Sequence, residues 1–208
     1  MLTDRIIGAL TFRKGIYAEV KNDVKFTWTA ILIVVVVSFL NRLGSYVNII
    51  THPEVSYSGW LIASLIGAVI LIIGFFVVVF IIWGLGIFIL KADNSFSQIV
   101  RILGLGYVWA VVGLLGLFAL PEPLNDILDL IAAAALVLVL IAWLFGMKDA
   151  FNSGWLLTAI VVLVAWLVFI GIIYCSWAWL LSRNIDYYTI MFPCIFDRSL
   201  LLGSNKWG

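Results

Sequence analysis

The chain has 208 residues, 65% of them apolar and 11% charged, with a mean hydropathy of +1.21. A soluble domain carries about 25% charged residues, so a water-soluble globule and a disordered chain are both excluded. Twelve Lys/Arg against eleven Asp/Glu leave no basic surplus for nucleic acid, and continuous rather than alternating apolar runs exclude a transmembrane β-barrel.

These features predict an all-α polytopic membrane protein. Its one domain is a bundle of five transmembrane helices, preceded by an N-terminal amphipathic interfacial helix. In chain order, residues 1–25 form a cytoplasmic segment in which Ile16, Val20 and Val24 recur every four residues, flanked by Tyr17. On a helix they fill one apolar arc, with Lys21 and Lys25 on the polar face and Arg13 and Lys14 beside it. The spacing predicts a helix lying at the inner membrane interface, its bases near anionic head groups. The alternative is an extension of the first span packed on neighbouring helices. Ile6, Ile7 and Leu10 repeat the pattern upstream, and Gly15 separates the two pieces.

Uncharged stretches place spans at about 26–46, 60–90, 99–120, 126–147 and 154–181 of the domain 26–181. The second would be close to 50 Å long at about 1.5 Å per residue. It must tilt, protrude or kink, with Gly84-Leu85-Gly86 as the weakest point. Asp93-Asn94-Ser95 supplies capping side chains before the third span, and Pro121-Glu122-Pro123 ends it. The mixed-charge start lacks a secretory cleavage pattern. The extracytoplasmic tail, 182–208, has a composition open to disorder.

Lys/Arg counts set the expected orientation. Arg5, Arg13, Lys14, Lys21, Lys25, Lys91, Arg101 and Lys148 fall on one side, against Arg42, Arg183, Arg198 and Lys206 on the other. The expectation is a multi-pass protein of the plasma membrane with a cytoplasmic N-terminus and an outer C-terminus.

Trp28, Trp60, Trp155, Trp177 and Trp179 fall at span ends as an aromatic girdle, whereas Trp83, Trp109, Trp143 and Trp166 lie deeper, between helices. Small residues mark the expected helix contacts: Ala63, Gly67 and Gly74 in the second span, Gly106, Gly113 and Gly116 in the third. Arg42 and Arg101 are the ionisable side chains nearest the membrane interior. The expectation is snorkelling to the interface, or for Arg101 a partner in Asp93, Asp149 or a lipid phosphate.

Catalytic patterns are missing: the sequence has no HExxH, GxSxG or GxxxxGK[ST], and His52 is its only histidine. Cys175 and Cys194 make no disulfide framework. No cofactor or metal is expected, and no enzymatic activity.

The stretch Leu90-Lys91-Ala92-Asp93-Asn94-Ser95-Phe96-Ser97-Gln98, followed by Tyr107 in an apolar run, resembles the Yip1 domain family. That family has a polar turn with a Ser-Phe pair before a Tyr-bearing third span. The turn Trp143–Phe151 is similar to its connection between spans four and five. The resemblance covers residues 5–175 and departs from the family at Ala92-Asp93-Asn94, where glycines are common, and in lacking a Pro early in span three. It implies the prokaryotic branch, without the long cytosolic region linked to Rab GTPases. The function expected is that of a membrane scaffold or partner-binding subunit, contacting a membrane-protein partner, itself or lipid. The inner-face turn Lys91, Asp93, Ser95, Phe96, Gln98 and Arg101 would make the contact. The alternative is a small transporter or channel for a neutral or lipid-like solute. A water-accessible polar cavity at the midplane would favour the alternative, and a solid core the scaffold.

Overall fold

A computed structural model of the chain describes the backbone of residues 2–45, 57–118 and 124–183. The His52 loop, Pro121-Glu122-Pro123, Cys194 and the tail beyond Arg183 lie outside these residues, as do the side chains of Cys175, Trp177 and Trp179. Among the described residues the fold is all-α. Two short helices, α1 (Leu2–Leu10) and α2 (Ile16–Asn22), precede α3 (Phe26–Ser45), α4 (Tyr57–Leu90) and α5 (Phe96–Gly106). A 3-10 segment (Tyr107–Phe118) continues α5, and α6 (Leu124–Phe151) and α7 (Trp155–Arg183) complete the bundle.

Among the described residues, five stretches are long and apolar enough to cross a membrane: Phe26–Gly44, Trp60–Leu90, Phe96–Phe118, Leu130–Phe151 and Trp155–Ile172. Their outward faces carry large apolar side chains in the open. Leu65, Val69, Ile73 and Phe80 on α4 and Leu156 and Leu167 on α7 are all exposed. Water would not tolerate so large an apolar surface, whereas lipid chains match it. The protein is an integral, multi-pass membrane protein.

Local chemistry explains the helix ends. Gly15 adopts φ 83° and lets the chain turn from α1 into α2. Lys91 closes α4 at φ 50°, and the Ala92 amide folds back onto the Gly86 carbonyl at 3.1 Å. Ser95 opens α5 with a reciprocal capping box: its hydroxyl accepts from the Gln98 amide, and the Gln98 side chain accepts from the Ser95 amide. The expected weak point at Gly84-Leu85-Gly86 does not interrupt α4, which runs as one helix of 34 residues. Gly86 sits against the Phe151 ring there, so the small residue serves packing.

The third span departs from a plain α-helix. From Tyr107 it tightens into 3-10 geometry for twelve residues, where runs beyond 3–4 residues are uncommon. The sequence supplies the reason. Tyr107, Ala110, Gly113 and Gly116 recur every third residue, and residues three apart eclipse one another in a 3-10 helix. In an α-helix the same row would drift by about 60° per step. Tightening aligns it against α3, where a Cβ on Gly44 would collide with the Gly113 backbone and one on Gly116 would meet the Gly44 carbonyl oxygen at 2.6 Å. Asn41 spans the contact, its Nδ2 donating to the Ala110 carbonyl at 2.9 Å.

Of the expected packing positions, Gly106 abuts Trp143, Gly74 abuts the Phe169 ring, and Gly113 abuts Asn41. Gly67 is buried and Ala63 partly so. Gly44, and Gly104 against Ala30, make comparable contacts that the sequence reading passed over. We expect Gly44→Ala to cost about 1–3 kcal/mol, because backbone would have to move. Gly84→Ala, where an added Cβ meets nothing within 4 Å, should be neutral or better. Thermal melting of both variants in mild detergent checks the contrast.

Candidate functional site

The two ends of the bundle are built differently. At the N-terminal end, α1 and α2 dock on the protein. Ile16, Tyr17 and Val20 are buried against α5 and α6, and Gly146 on α6 leaves room for the Tyr17 ring. This corrects the expectation for the apolar stripe, which faces helices instead of lipid. The short apolar face of α2 packs on α5 and α6 together. Val24 is no part of the stripe and stands 74% exposed. The helix has ended at Asn22 by then, so the four-residue spacing no longer keeps one face.

Charges lock this cap in place. Arg5 on α1 donates from Nε to Glu19 at 3.1 Å and from Nη1 to Asp23 at 2.6 Å, while its guanidinium lies 5.1 Å above the Phe26 ring. Arg13 reaches the other Glu19 oxygen at 3.5 Å. Lys21, expected on the polar face near phosphates, instead donates to the Ala150 carbonyl at 2.9 Å, and burial lowers its pKa. The same carbonyl accepts from Asn94 Nδ2 at 3.0 Å. Burial pushes the Tyr17 phenol above its ordinary pKa and keeps it protonated. Lys14 and Lys25 remain exposed.

The turn expected to contact partners is mostly consumed by the fold. Ser95 and Gln98 cap α5, and Phe96 packs edge-on to Trp83 at 6.1 Å. Arg101 neither snorkels nor pairs with Asp93 or Asp149. It is 3% exposed and donates to its own helix, from Nε to the Ser97 carbonyl at 3.0 Å and from Nη2 to the Ser97 hydroxyl at 3.4 Å. Its Nη1 is buried without a hydrogen-bond partner. Lys91 and Asp93 are left facing outward.

Midway through the bundle, four aromatic rings close the core. Tyr107 stacks on Trp143 at 6.5 Å, Phe75 meets both edge-on, and Phe169 packs on Trp143 at 6.2 Å. Trp143 is fully buried and donates from Nε1 to the Leu103 carbonyl at 3.0 Å. Trp83, Trp109 and Trp166 are partly buried against the core, whereas Trp28 and Trp155 are exposed as girdle residues should be.

Beyond these rings, toward the end opposite α1 and α2, lies a partly open cavity of about 360 Å³. The 3-10 row forms one wall, and Leu136 and Val139 on α6 face it. Ala132, Ala133 and Ala135 on α6 leave the space that larger side chains would fill. Tyr107 and Phe169 line its deep end. Asn41 and Arg42 enter from α3, and Arg42 is the one charged side chain among the described lining residues. At 6% exposure it does not snorkel outward as expected. Ser38 on the same face donates to the Tyr107 hydroxyl at 3.3 Å. Ser38, Asn41 and Arg42 stand at i, i+3 and i+4 after the apolar run 30–37 of α3, a polar stripe that carries the signal of this site. Among the described residues, no group of three or more His, Cys, Asp or Glu side chains is placed to hold a metal.

The cap yields a pH prediction. Hydrogen bonding from Arg5, helped by the Lys25 amide and opposed by desolvation, holds the Asp23 carboxyl below its usual range. The clasp is therefore complete above about pH 4, the ordinary carboxylate value, and is lost as pH falls through the lower folded-state value. Amide exchange in α1, corrected for intrinsic rate, should accelerate in that acid range. In Arg5→Leu it should be fast throughout, without the step.

No protein-family model, curated protein or solved structure matches the chain.

Proposed function

We propose that this is a non-enzymatic membrane protein that binds a lipid-like amphiphile in the cavity of its membrane domain. The observation that carries the reading is a cavity with polar groups on one wall, hydrocarbon on the others, and a closed aromatic floor. Small-molecule sites are concave, mostly apolar and fixed by a few polar groups, with volumes of about 300–1,000 Å³, and this cavity falls in that range. The packed rings at Phe75, Tyr107, Trp143 and Phe169 argue for a blind binding chamber over an open channel. Between the two expectations, the cavity favours the lipid-like solute.

A Yip1-type organiser is the second reading. It is favoured by the exposed Lys14, Lys25 and Lys91 at the docked N-terminal end, which suit anionic head groups or an acidic partner. The two readings are compatible in one protein, because they use opposite ends of the bundle.

Two measurements test the proposal. Ala132→Phe places a ring in the cavity without touching the aromatic floor. Protein purified in mild detergent should retain a near-stoichiometric amphiphile by mass spectrometry, and the variant should lose it at unchanged melting temperature. The Lys/Arg excess beside α1, α2 and the inner turns supports a cytoplasmic N-terminus. A phosphatase active only outside the cytoplasm should work when fused after Arg183 and fail when fused before Leu2.

A further inference from the structure

We infer that the N-terminal turn of α5 is an oxyanion site, in which a phosphate group is held by the Ser95 and Ser97 hydroxyls and the Arg101 guanidinium. The site lies at the end of the bundle opposite the cavity, and it goes beyond the amphiphile reading without depending on it.

The first ground is a guanidinium with an unused donor. Arg101 is 3% exposed. It folds back by one turn toward the start of α5, with Nε on the Ser97 carbonyl at 3.0 Å and Nη2 on the Ser97 hydroxyl at 3.4 Å. Nη1 shares its carbon with Nη2, so it is carried to the same turn, and there it is buried without a hydrogen-bond partner. A buried donor costs free energy until an acceptor reaches it. The nearby acids do not serve. Asp93 faces outward. The Asp23 carboxylate acts on Arg101 through space, but its oxygens accept from Arg5 at 2.6 Å and from the Lys25 amide at 3.0 Å. Of the partners that the sequence suggests for Arg101, phosphate is the one left.

The second ground is what surrounds that donor. The Ser95 and Ser97 hydroxyl oxygens are 3.2 Å apart, and the Ser97 oxygen accepts from Arg101. Whichever hydroxyl donates to the other, one proton of the pair stays uncommitted. The Gln98 and Ile99 amides bond to the Ser95 carbonyl, whereas those of Phe96 and Ser97 come too early in the helix for an acceptor within it. Helix N-termini of this kind favour phosphate, and the guanidinium fork matches its edge. A bond of 3.4 Å is long, so the guanidinium can turn its Nη edge to the ligand at little cost. Ser95 is exposed and Ser97 half-buried, which leaves the turn open at the level where the third span begins. Phosphates of lipid head groups lie at such span ends, and free phosphate has the same chemistry.

The test titrates the full chain, in a neutral maltoside detergent, with dioctanoyl phosphatidate, dioctanoylglycerol or inorganic phosphate, followed by calorimetry and amide exchange. We expect phosphatidate to bind and to slow exchange at Phe96 and Ser97. Dioctanoylglycerol, which lacks the phosphate, should leave that exchange unchanged even where it enters the cavity. Ser97→Ala, which spares the Ser95–Gln98 cap, should weaken phosphatidate binding about tenfold at unchanged melting temperature, as loss of a hydrogen bond to a charged group implies. Arg101→Gln should weaken it at least as much and Arg101→Lys less, and Ser97→Ala alone carries the test if Arg101→Gln does not fold. Slowed exchange with phosphatidate alone would support the site with a lipid head group as ligand. Equal slowing by inorganic phosphate would support it with free phosphate. Exchange that no phosphate compound slows would overturn the inference. So would parent-like binding in Ser97→Ala alongside loss in Lys25→Gln or Lys91→Gln, which would put the anion on the exposed lysines.

Discussion

The architecture depends on the close crossing of α3 and the 3-10 segment. Gly44, Gly113 and Gly116 bring two backbones within reach of each other, a contact that any side chain would hold apart. In lipid there is no hydrophobic drive between helices, so tight packing and hydrogen bonds must supply the attraction. The Asn41 bond to the Ala110 carbonyl supplies one of them. The crossing turns the polar face of α3 inward, so that Arg42 faces the interior of the bundle. It also holds the third span in the tightened geometry that aligns its small residues.

From this crossing follows the asymmetry of the molecule. On one side of the Tyr107–Trp143 stack, fully buried Phe75, Val78, Leu103 and Leu105 leave a packed core. Truncating a side chain such as Phe75 there would cost about 3–5 kcal/mol, since the surroundings cannot collapse into the gap. On the other side, the alanines of α6 leave space instead. The rigid half carries the docked α1 and α2 and their charge clasp. The open half carries the polar stripe of α3. Rigid packing beneath a cavity is what a binding chamber needs, because the floor then holds its shape when the chamber fills.

Much of the fold was legible in the sequence, and the reasons differ by element. The spans show as uncharged runs because a bilayer admits few charges, and the capping box at Ser95 and Gln98 shows because orphan amides need local partners. The site was less legible. Ser38, Asn41 and Arg42 have helical spacing, and Tyr107, Ala110, Gly113 and Gly116 have a spacing of three, yet each pattern gains meaning only beside the other. The N-terminal spacing of Ile16, Val20 and Val24, flanked by Tyr17, marks an apolar face, but Val24 stands off it, and a face of that width suits a lipid surface or a protein surface equally well.

By itself the sequence determined that the chain is helical and membrane-spanning, which stretches are apolar enough to span, and that Ser95 and Gln98 cap a helix start. Those properties follow from hydrophobic length, charge placement and capping, which act within a few residues of one another. Only the tertiary structure decided that α2 covers α5 and α6, that Arg101 folds back on Ser97, and that Arg42 faces a cavity. Such outcomes depend on which surfaces meet across the bundle. Lys21 and Ala150, joined by one hydrogen bond, are 129 residues apart in the chain, a distance over which local propensity says nothing about contact.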